Sequence, residues 1–276
     1  MLCPSKYSFT PCYRSAIVRC GLIALLSVAP ALADVKEVIT SLVENEASAV
    51  VAIRYVLSQS AYGQEMQQPM EAQGLVIDPE GLVLAPASEL EGSVFTSAFR
   101  GPLNGSEGPE FSYSDYRVLV MANGREQEYE AEVLAKDTEA DLAWLKLTEP
   151  PTEPMVYVEF PEESSLEVGD RYFTLGRMSE KRGRAPMVIT GIVGGRMEIP
   201  RPGLLATYGE GAVFDDQGRP AGLLVSPPTS TQPAFGSVTA MMEQFLTRMI
   251  LPAPVIRRAT ERARARFPVG GEEPSD

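Results

Sequence analysis

Residues Gln73 to Leu84 read QGLVIDPEGLVL, and this stretch decides the fold. Its two short apolar runs, Gly74–Ile77 and Gly81–Leu84, contain the β-branched and aliphatic residues typical of buried strands. Between them, Asp78-Pro79-Glu80-Gly81 combines turn formers, since proline presets its own φ and glycine accepts a positive φ. The stretch therefore predicts two strands joined by a tight turn.

The same alternation of short apolar runs and turn signals continues along the chain. Asn123-Gly124, for example, is a strong signal for a β-hairpin. Further runs of this kind are Ala49–Arg54, Arg117–Met121, Glu128–Leu134, Leu142–Leu147, Arg171–Leu175, Met187–Val193, Ala221–Val225 and Phe235–Thr239. About ten or more short strands with regular turns predict an all-β barrel or sandwich.

Helical spacing of apolar residues is confined to the two ends of this β region. It predicts a short helix over Val35–Asn45, another over Met241–Ile250 and a third over Ile256–Phe267. Two polar stretches, the Gln-rich Ser58–Gln73 and the Gly/Ser/Pro-rich Phe99–Asp115, are predicted to be exposed loops.

The chain of 276 residues contains no histidine, which excludes whole classes of mechanism. Histidine is the usual general base beside a Ser or Cys nucleophile and a common ligand of catalytic zinc. The three cysteines, Cys3, Cys12 and Cys20, all lie near the start of the chain. If that start is removed, disulfides and Cys/His metal sites are excluded as well, and we expect no cofactor and no metal.

Residues 1–33 have the pattern of a secretory signal peptide. Basic residues come first, a run of 14 residues without charge follows from Cys20 to Ala33, and Ala31-Leu32-Ala33 is a small-x-small cleavage site. The run is too short for a membrane span of about 20 apolar residues, and Cys20 stands at its start rather than after it, which disfavours a lipoprotein. We expect cleavage after Ala33 and a periplasmic or secreted protein that does not stay at the membrane.

The mature chain would be strongly acidic. Removal of residues 1–33 leaves 21 basic against 37 acidic residues, a net charge of −16 compared with −13 for the full sequence. Nucleic acid and anionic membrane surfaces favour basic patches. We therefore expect a protein or peptide partner, possible oligomers, and no nucleic acid.

Several segments, taken in order, resemble the HtrA (Deg) family of trypsin-like proteases. Gln73–Leu84 is similar to the segment before that family's catalytic histidine. The other similar segments are Val118–Arg125 with Tyr129–Val133 (the "D/N-G-R" hairpin), Lys136–Lys146 (the aspartate segment), Val168–Gly176, Thr190–Val193, and Phe235–Ala240 with its following helix. The resemblance implies two six-stranded β-barrels of the chymotrypsin type, over about residues 47–147 and 157–240, with any active site between them.

The resemblance also assigns the catalytic triad positions, and two of the three residues are replaced. The family's histidine corresponds to Ser88, its aspartate to Asp141, and its serine to Gly209. A serine hydroxyl does not accept a proton near neutral pH, and glycine has no side chain with which to attack. We expect these three residues to meet at the barrel interface without forming a catalytic site.

The turn that would form an oxyanion hole is altered too. Its equivalents here are Thr207, Tyr208 and Glu210, where the family has a glycine-rich turn. A carboxylate beside that turn would repel a developing oxyanion rather than stabilise it. The sequence therefore predicts a protein that has the trypsin-like fold and is catalytically inactive. 

Other candidate sites have simpler interpretations. Asp137, Glu139 and Asp141 could form an acid/base or metal cluster, but turn and strand-edge carboxylates are the favoured reading. Asp215-Asp216-Gln217-Gly218 lacks calcium-loop spacing and predicts a hairpin turn. A Ser/Lys dyad would need one of the four lysines that remain after signal cleavage, which are Lys36, Lys136, Lys146 and Lys181. Trp144, the single tryptophan, is predicted to lie in the core.

The sequence predicts three regions: the signal at 1–33, a trypsin-like domain at 34–250, and an arginine-rich helix with a disordered acidic tail at 251–276. No PDZ domain is expected after it. The arginines are Arg257, Arg258, Arg262, Arg264 and Arg266, and they favour a helix held on an acidic body over a docking segment. Three hypotheses remain: an inactive binding or regulatory subunit, an active endopeptidase whose residues are misaligned, and an architectural subunit.

Overall fold

A computed structural model describes residues 34–61, 64–91, 110–122, 124–163, 166–198, 201–226 and 248–266. Within these ranges the chain forms two closed, antiparallel six-stranded β-barrels. This confirms the predicted double-barrel fold. The predicted signal peptide lies outside the described residues. In the described part of the chain, every helix is too short or too polar to cross a bilayer.

A short helical segment precedes the first barrel. Helix α1 (Val35–Ser41) begins at Asp34, whose side chain accepts a hydrogen bond from Lys36 N, and continues as a π-helical turn (Leu42–Glu46) and a 3₁₀ turn (Ala47–Ala49). A capping carboxylate satisfies a backbone N–H at the helix start. The apolar face of this segment is buried through Val38 and Leu42, as its helical spacing predicted.

The first barrel has the strand order β1-β2-β3-β6-β5-β4. Its elements are β1 (Val50–Ala61), β2 (Gln64–Val76), β3 (Leu82–Pro86), helix α2 (Ala87–Leu90), β4 (Glu110–Ala122), β5 (Arg125–Asp137) and β6 (Leu142–Leu147). Asp78–Gly81 forms the predicted turn between β2 and β3: Gly81 N donates to Asp78 O at 3.1 Å, and Gly81 has a φ of +89°.

The second barrel has the strand order β10-β11-β12-β9-β8-β7. Its elements are β7 (Arg171–Arg177), a 3₁₀ turn (Glu180–Arg182), β8 (Pro186–Met197), β9 (Gly203–Ala206), β10 (Ala212–Phe214), β11 (Pro220–Val225) and β12 (Arg248–Pro252). Helix α3 (Ala253–Arg266) follows directly and confirms the third predicted helix.

The prediction of two exposed loops was wrong where the structure describes them. Ser58–Ala61 and Gln64–Gln73 are strand residues, paired as β1 and β2 over their whole length. Glu110–Asp115 belongs to β4 and pairs with β1, while 99–109 lies outside the described residues. Backbone pairing in a long antiparallel ribbon satisfies the main chain, so polar side chains can remain on solvent faces and hide the strand pattern.

The second barrel also ends at a later residue than the sequence predicted. The Phe235–Thr239 strand and most of the Met241–Ile250 helix lie outside the described residues, but Arg248–Ile250 is strand rather than helix. β12 pairs with β11 and β9 and closes the barrel. The second barrel therefore ends at Pro252 instead of about 240, and the expected boundary after residue 250 falls inside β12.

Among the described residues a small apolar cluster lies in the second barrel, and a larger one runs through both barrels and reaches α3. It includes Val51 of β1, Leu145 of β6, Phe214 of β10 and Ile256 of α3, each fully buried. Trp144 is 2% exposed within it and donates its indole N–H to Thr260 Oγ1 of α3 at 3.0 Å. Trp144 is thus a core residue, as predicted, and it joins the helix to the first barrel.

Candidate functional site

Two of the residues that the resemblance assigns to triad positions, Ser88 and Asp141, lie close together, and a further residue joins them. Ser88 lies on α2, just after β3, and Asp141 lies in the turn between β5 and β6. The described segment after β11 adds Ser226, which sequence analysis did not assign to the site. Because β3 and β6 are paired neighbours, Ser88 and Asp141 are brought together by the first barrel alone.

Asp141 is a carboxylate whose hydrogen bonds are already made. Its Oδ1 accepts from Ser88 N at 2.7 Å, and its Oδ2 accepts from Ser88 Oγ at 2.9 Å and Ser226 N at 2.8 Å. Asp141 is 7% exposed and has a φ of +53°. Burial raises its pKa above the ordinary value, while the three hydrogen bonds oppose that rise.

Ser88 contacts Asp141 and Ser226 through its hydroxyl. Its hydroxyl donates to Asp141, and its Oγ lies 3.2 Å from Ser226 Oγ. A carboxylate is a far weaker base than an alkoxide, so it orients the hydroxyl without removing the proton. The arrangement is a hydrogen-bonded cluster that holds α2, the β5–β6 turn and the end of β11 together.

Gly209 lies in the turn between β9 and β10, where the backbone leaves no room for a side chain. It has a φ of +115°, and a Cβ built on it would lie 2.6 Å from Thr174 Oγ1 and 2.7 Å from Thr174 Cγ2. Thr174 belongs to β7 and is 1% exposed. A side chain at position 209 would therefore clash with a threonine of the neighbouring strand.

The rest of this turn is fixed by neighbours from the second barrel. Thr207 Oγ1 bonds the backbone of Ile192 at 3.3 Å. Tyr208 is 71% exposed, although its backbone N and O both bond the hydroxyl of Tyr172. Glu210 Cγ would lie 3.4 Å from a Cβ built on Gly176, which places its carboxyl side chain against the end of β7.

A second carboxyl group of this site, Glu89, was missed by sequence analysis. Burial, together with the charges of Glu210 and Asp141, raises its pKa to about 7, while Arg248 and a hydrogen bond from Gln73 N act against that rise. No motif marks Glu89, which simply follows Ser88 on α2. Its significance comes from the groups that the fold assembles around it.

Gln73 connects this site to the second barrel. Its backbone N–H donates a hydrogen bond to the carboxyl group of Glu89, and its side-chain Oε1 accepts one from Arg177 N of β7 at 2.8 Å. Arg201, before β9, approaches from another side: its Nη2 donates to Ser226 O at 3.4 Å, and burial lowers its pKa. Both residues lie far from Ser88 in sequence, so spacing gave no signal for them.

The alternative site residues take the simpler roles. Asp137 Oδ1 accepts from Ala140 N at 2.9 Å, as a turn carboxylate does. Asp215 Oδ1 accepts from Gln217 N and Arg219 N at 2.9 Å each, which forms the predicted hairpin turn. Lys136 forms an ion pair with Glu91 at 3.0 Å. Among the described residues, no group of three or more acidic or other metal-binding side chains is placed to hold a metal ion.

In the described structure strand β11 is paired on both sides and offers no open edge to an extended peptide. Over Gly222–Val225 it pairs with β12, and over Pro220–Leu223 it pairs with β10. The reason is that the last strand of the barrel is β12 rather than a strand near Phe235. Peptide addition by backbone pairing is therefore unavailable along β11 itself.

The arginine-rich helix rests on acidic residues of the molecule. Arg264 Nη2 lies 2.6 Å from Asp78 Oδ2, and Arg262 Nη2 lies 3.8 Å from Asp137 Oδ2. Arg257 pairs with Glu162 at 3.3 Å. These contacts favour the interpretation of a helix held against an acidic body.

The sequence matches no protein-family model and no curated protein. Among solved structures it is similar to Deg5, with 18% sequence identity and a TM-score of 0.54, over 81% of this chain and 92% of that one. It is also similar to the MamO protease domain from Magnetospirillum magneticum (apo form), with 17% identity and a TM-score of 0.49, over 78% of this chain and 97% of that one. The two closed barrels and the likeness to Deg5 show that the chain has the HtrA/Deg-type trypsin-like protease fold.

Proposed function

We propose that this protein is a pseudoprotease: a trypsin-like fold without peptidase activity that binds a protein or peptide partner. The observation that carries the proposal is the state of Asp141. In a working triad the aspartate accepts from an imidazole, which in turn activates the serine. Here the carboxylate accepts from Ser88 and Ser226 instead, and the chain has no histidine to take their place.

The nucleophile position supports the same conclusion independently. A serine at position 209 would have its Cβ against Thr174 and a strained φ of +115°. Even a restored serine would therefore not present its hydroxyl to position 88 without a rearrangement of the turn. Two separate losses, one chemical and one steric, argue against residual acyl transfer.

Active-site labelling tests the catalytic part of the proposal. Purified protein incubated with a fluorophosphonate probe should show no labelled serine and no turnover of casein. The double variant Ser88→His with Gly209→Ser should also remain unlabelled, because Thr174 and Glu210 still distort the turn. Wild-type labelling that a single Ser→Ala change abolishes would show the protein to be an active hydrolase.

Binding is proposed because the fold keeps a rigid frame while its chemistry has been removed. The former catalytic turn is held by buried hydrogen bonds yet displays a large side chain, Tyr208, to solvent. If chemical cross-linking finds contacts only through the barrel surfaces far from this turn, the architectural function is the better one.

Export is proposed from the sequence of residues 1–33. The absence of cysteine and histidine from the remainder of the chain is compatible with an oxidising compartment. Amino-terminal sequencing of the protein from a periplasmic or secreted fraction should begin at Asp34. A first residue upstream of Cys20 in the native protein would contradict cleavage at Ala33.

A further inference from the structure

Three exposed apolar residues lie on neighbouring backbone segments beside the turn between β9 and β10. Val168 is 53% exposed, Ile192 is 45% exposed and Tyr208 is 71% exposed. Gly169 N donates to Val193 O at 2.9 Å, which sets Val168 beside the end of β8. Ile192 N bonds Thr207 Oγ1, which sets Ile192 beside the residue before Tyr208. We call Val168, Ile192 and Tyr208 the tyrosine patch.

The backbone under the tyrosine patch is held in one position. Tyr172 is fully buried, and its hydroxyl donates to Tyr208 O at 2.6 Å and accepts from Tyr208 N at 3.1 Å. The Tyr172 ring reaches this place only because Gly191 has no side chain, since a Cβ there would clash with the ring. A buried tyrosine of β7 thus fixes the main chain from which Tyr208 projects.

Such an arrangement is typical of a binding anchor. Single exposed apolar residues are ordinary on protein surfaces. However, three of them on neighbouring segments, one a tyrosine with a fixed backbone, resemble the aromatic hot spots that dominate binding energy. A fixed anchor loses less conformational freedom when a partner binds, so more of the contact energy appears as affinity.

The charges around the patch favour a basic occupant. Glu167 and Asp170 lie beside Val168 and are exposed, and their two negative charges outnumber the one positive charge of Arg171, which pairs with Ile192 across β7 and β8. The whole chain carries a net charge of −13. Long-range repulsion between two such chains disfavours a second copy, while the same field attracts a positively charged partner.

We propose that the tyrosine patch is a docking site for a basic partner segment that places an aliphatic or aromatic side chain on the Tyr208 ring. This inference rests on the proposed non-catalytic function and names the partner class of that site. In this proposal the turn that carries Tyr208 is a recognition element, in which Tyr208 is the anchor and the nearby carboxylates select a positively charged partner.

Defined peptides test the docking site. The probe is a fluorescent twelve-residue peptide with lysines flanking a central leucine, and the comparison peptides carry a central serine or glutamates in place of the lysines. Binding is measured by fluorescence polarisation against wild type, Tyr208→Ser, and Tyr157→Ser as a matched control. Tyr157 is also exposed, at 41%, but it precedes Val158, which bonds the first barrel at Val76 O.

Wild type and Tyr157→Ser should bind the lysine–leucine peptide at least tenfold more tightly than either comparison peptide. Tyr208→Ser should lose at least tenfold in affinity with no change in Tm, because its side chain is mostly in solvent. Absence of binding to wild type, equal loss in both variants, or preference for the glutamate peptide would each overturn the proposal. So would concentration-dependent dimerisation that Tyr208→Ser abolishes, since the occupant would then be a second copy. Fluorophosphonate labelling decides the non-catalytic function separately from all these outcomes.

Discussion

At the residue scale, position 209 lacks more than a hydroxyl, because Thr174 leaves no space there for any side chain. Thr174 fills the space into which a side chain at position 209 would point. Asp141 is also held by its neighbours: its two oxygens accept three hydrogen bonds from Ser88 and Ser226. Both positions are thus part of the packing.

The clash at Gly209 can be measured with a double-mutant cycle. Gly209→Ala should lower the free energy of unfolding by about 3 kcal/mol, from positive-φ strain plus contact with Thr174. Gly169→Ala is the matched control, because its φ is +97° with nothing within 4 Å, and it should cost about 1 kcal/mol. Urea denaturation gives these values.

Thr174→Ala in the Gly209→Ala background completes the cycle. Removal of Thr174 Oγ1 and Cγ2 should recover about 1 kcal/mol or more as coupling between the two sites. Additive effects would mean that the turn moves away from Thr174 without cost.

Glu89 predicts a pH dependence of stability. Its pKa is raised from 4.5 to about 7 in the folded protein, so between these values the folded state keeps a proton that the unfolded state releases. Stability should therefore fall as pH rises from about 4.5 and level off above about 7. With allowance for partial exposure, the total loss should be about 2 kcal/mol.

Glu89→Gln tests this assignment, since the amide has nearly the same shape and does not titrate. Thermal melts from pH 4.5 to 8 should show a flatter profile for the variant, with its advantage over wild type growing toward pH 8. Glu91→Gln on the same side of the molecule is the control. Parallel profiles for wild type and Glu89→Gln would show that another group is responsible.

Sequence reasoning placed Ser88 and Asp141 correctly as neighbours, because both lie in segments with strong strand and turn patterns. Ser226, Glu89 and Thr174 were missed for a physical reason. Their roles depend on contacts across the two barrels, and neither residue type nor spacing records which distant neighbour fills a space or raises a pKa.

At the element scale, helix α3 is attached by two kinds of contact of different expected strength. Its arginines form ion pairs with partly exposed carboxylates, and such pairs are worth about 0–1 kcal/mol. The bond from Trp144 Nε1 to Thr260 Oγ1 is buried instead. A buried donor without an acceptor costs about 1–3 kcal/mol, so this bond should dominate.

Thr260→Val removes the acceptor at nearly constant shape and should lower the free energy of unfolding by about 2 kcal/mol. Thr260→Ser keeps the hydroxyl and should cost about 1 kcal/mol for the lost methyl group. Arg264→Ala should change stability by less than about 1 kcal/mol. Chemical denaturation followed by circular dichroism distinguishes these values, and an Arg264→Ala effect larger than that of Thr260→Val would reverse the ranking.

The elements with the clearest apolar patterns, such as β3 and β6, were predicted from sequence nearly at their true bounds. The long ribbon of β1 and β2 was not, because its polar residues match loop composition while backbone pairing decides its structure. Strand β12 was missed because Arg248–Pro252 continues a helical apolar pattern, and only closure of the barrel requires a strand there.

At the scale of the whole molecule, two arginines of the β7–β8 region join the barrels. Arg177 Nε donates to Val50 O at 2.5 Å and Nη1 to Arg184 O at 3.0 Å, and Nη2 donates to Ala47 O. Arg184 pairs with Glu71 at 2.5 Å and Glu126 at 2.7 Å, both in the first barrel. Burial lowers the pKa of Arg177. The hydrogen bonds from its guanidinium to carbonyl oxygens offset the free-energy cost of removing the charge from water.

Arg177→Met should lower the free energy of unfolding by about 3 kcal/mol, because three buried carbonyls lose their donor. Arg171→Met is the control, since Arg171 is exposed at the other end of β7 and should change stability by less than about 0.5 kcal/mol. Calorimetry gives a further readout: if the hydrogen bonds of Arg177 couple the barrels, Arg177→Met should broaden or split the single unfolding transition. Equal small effects of both variants would assign the coupling to the shared apolar core alone.

The contact between the single tryptophan and α3 makes the protein its own optical reporter. Trp144 is in an apolar setting when α3 is docked, and its indole N–H meets Thr260 rather than water. Undocking of α3 would wet the ring, shift its emission to longer wavelength and open it to quenching by iodide. Because the chain has one tryptophan, its emission comes from the side chain at this contact between helix and barrel, without any added label.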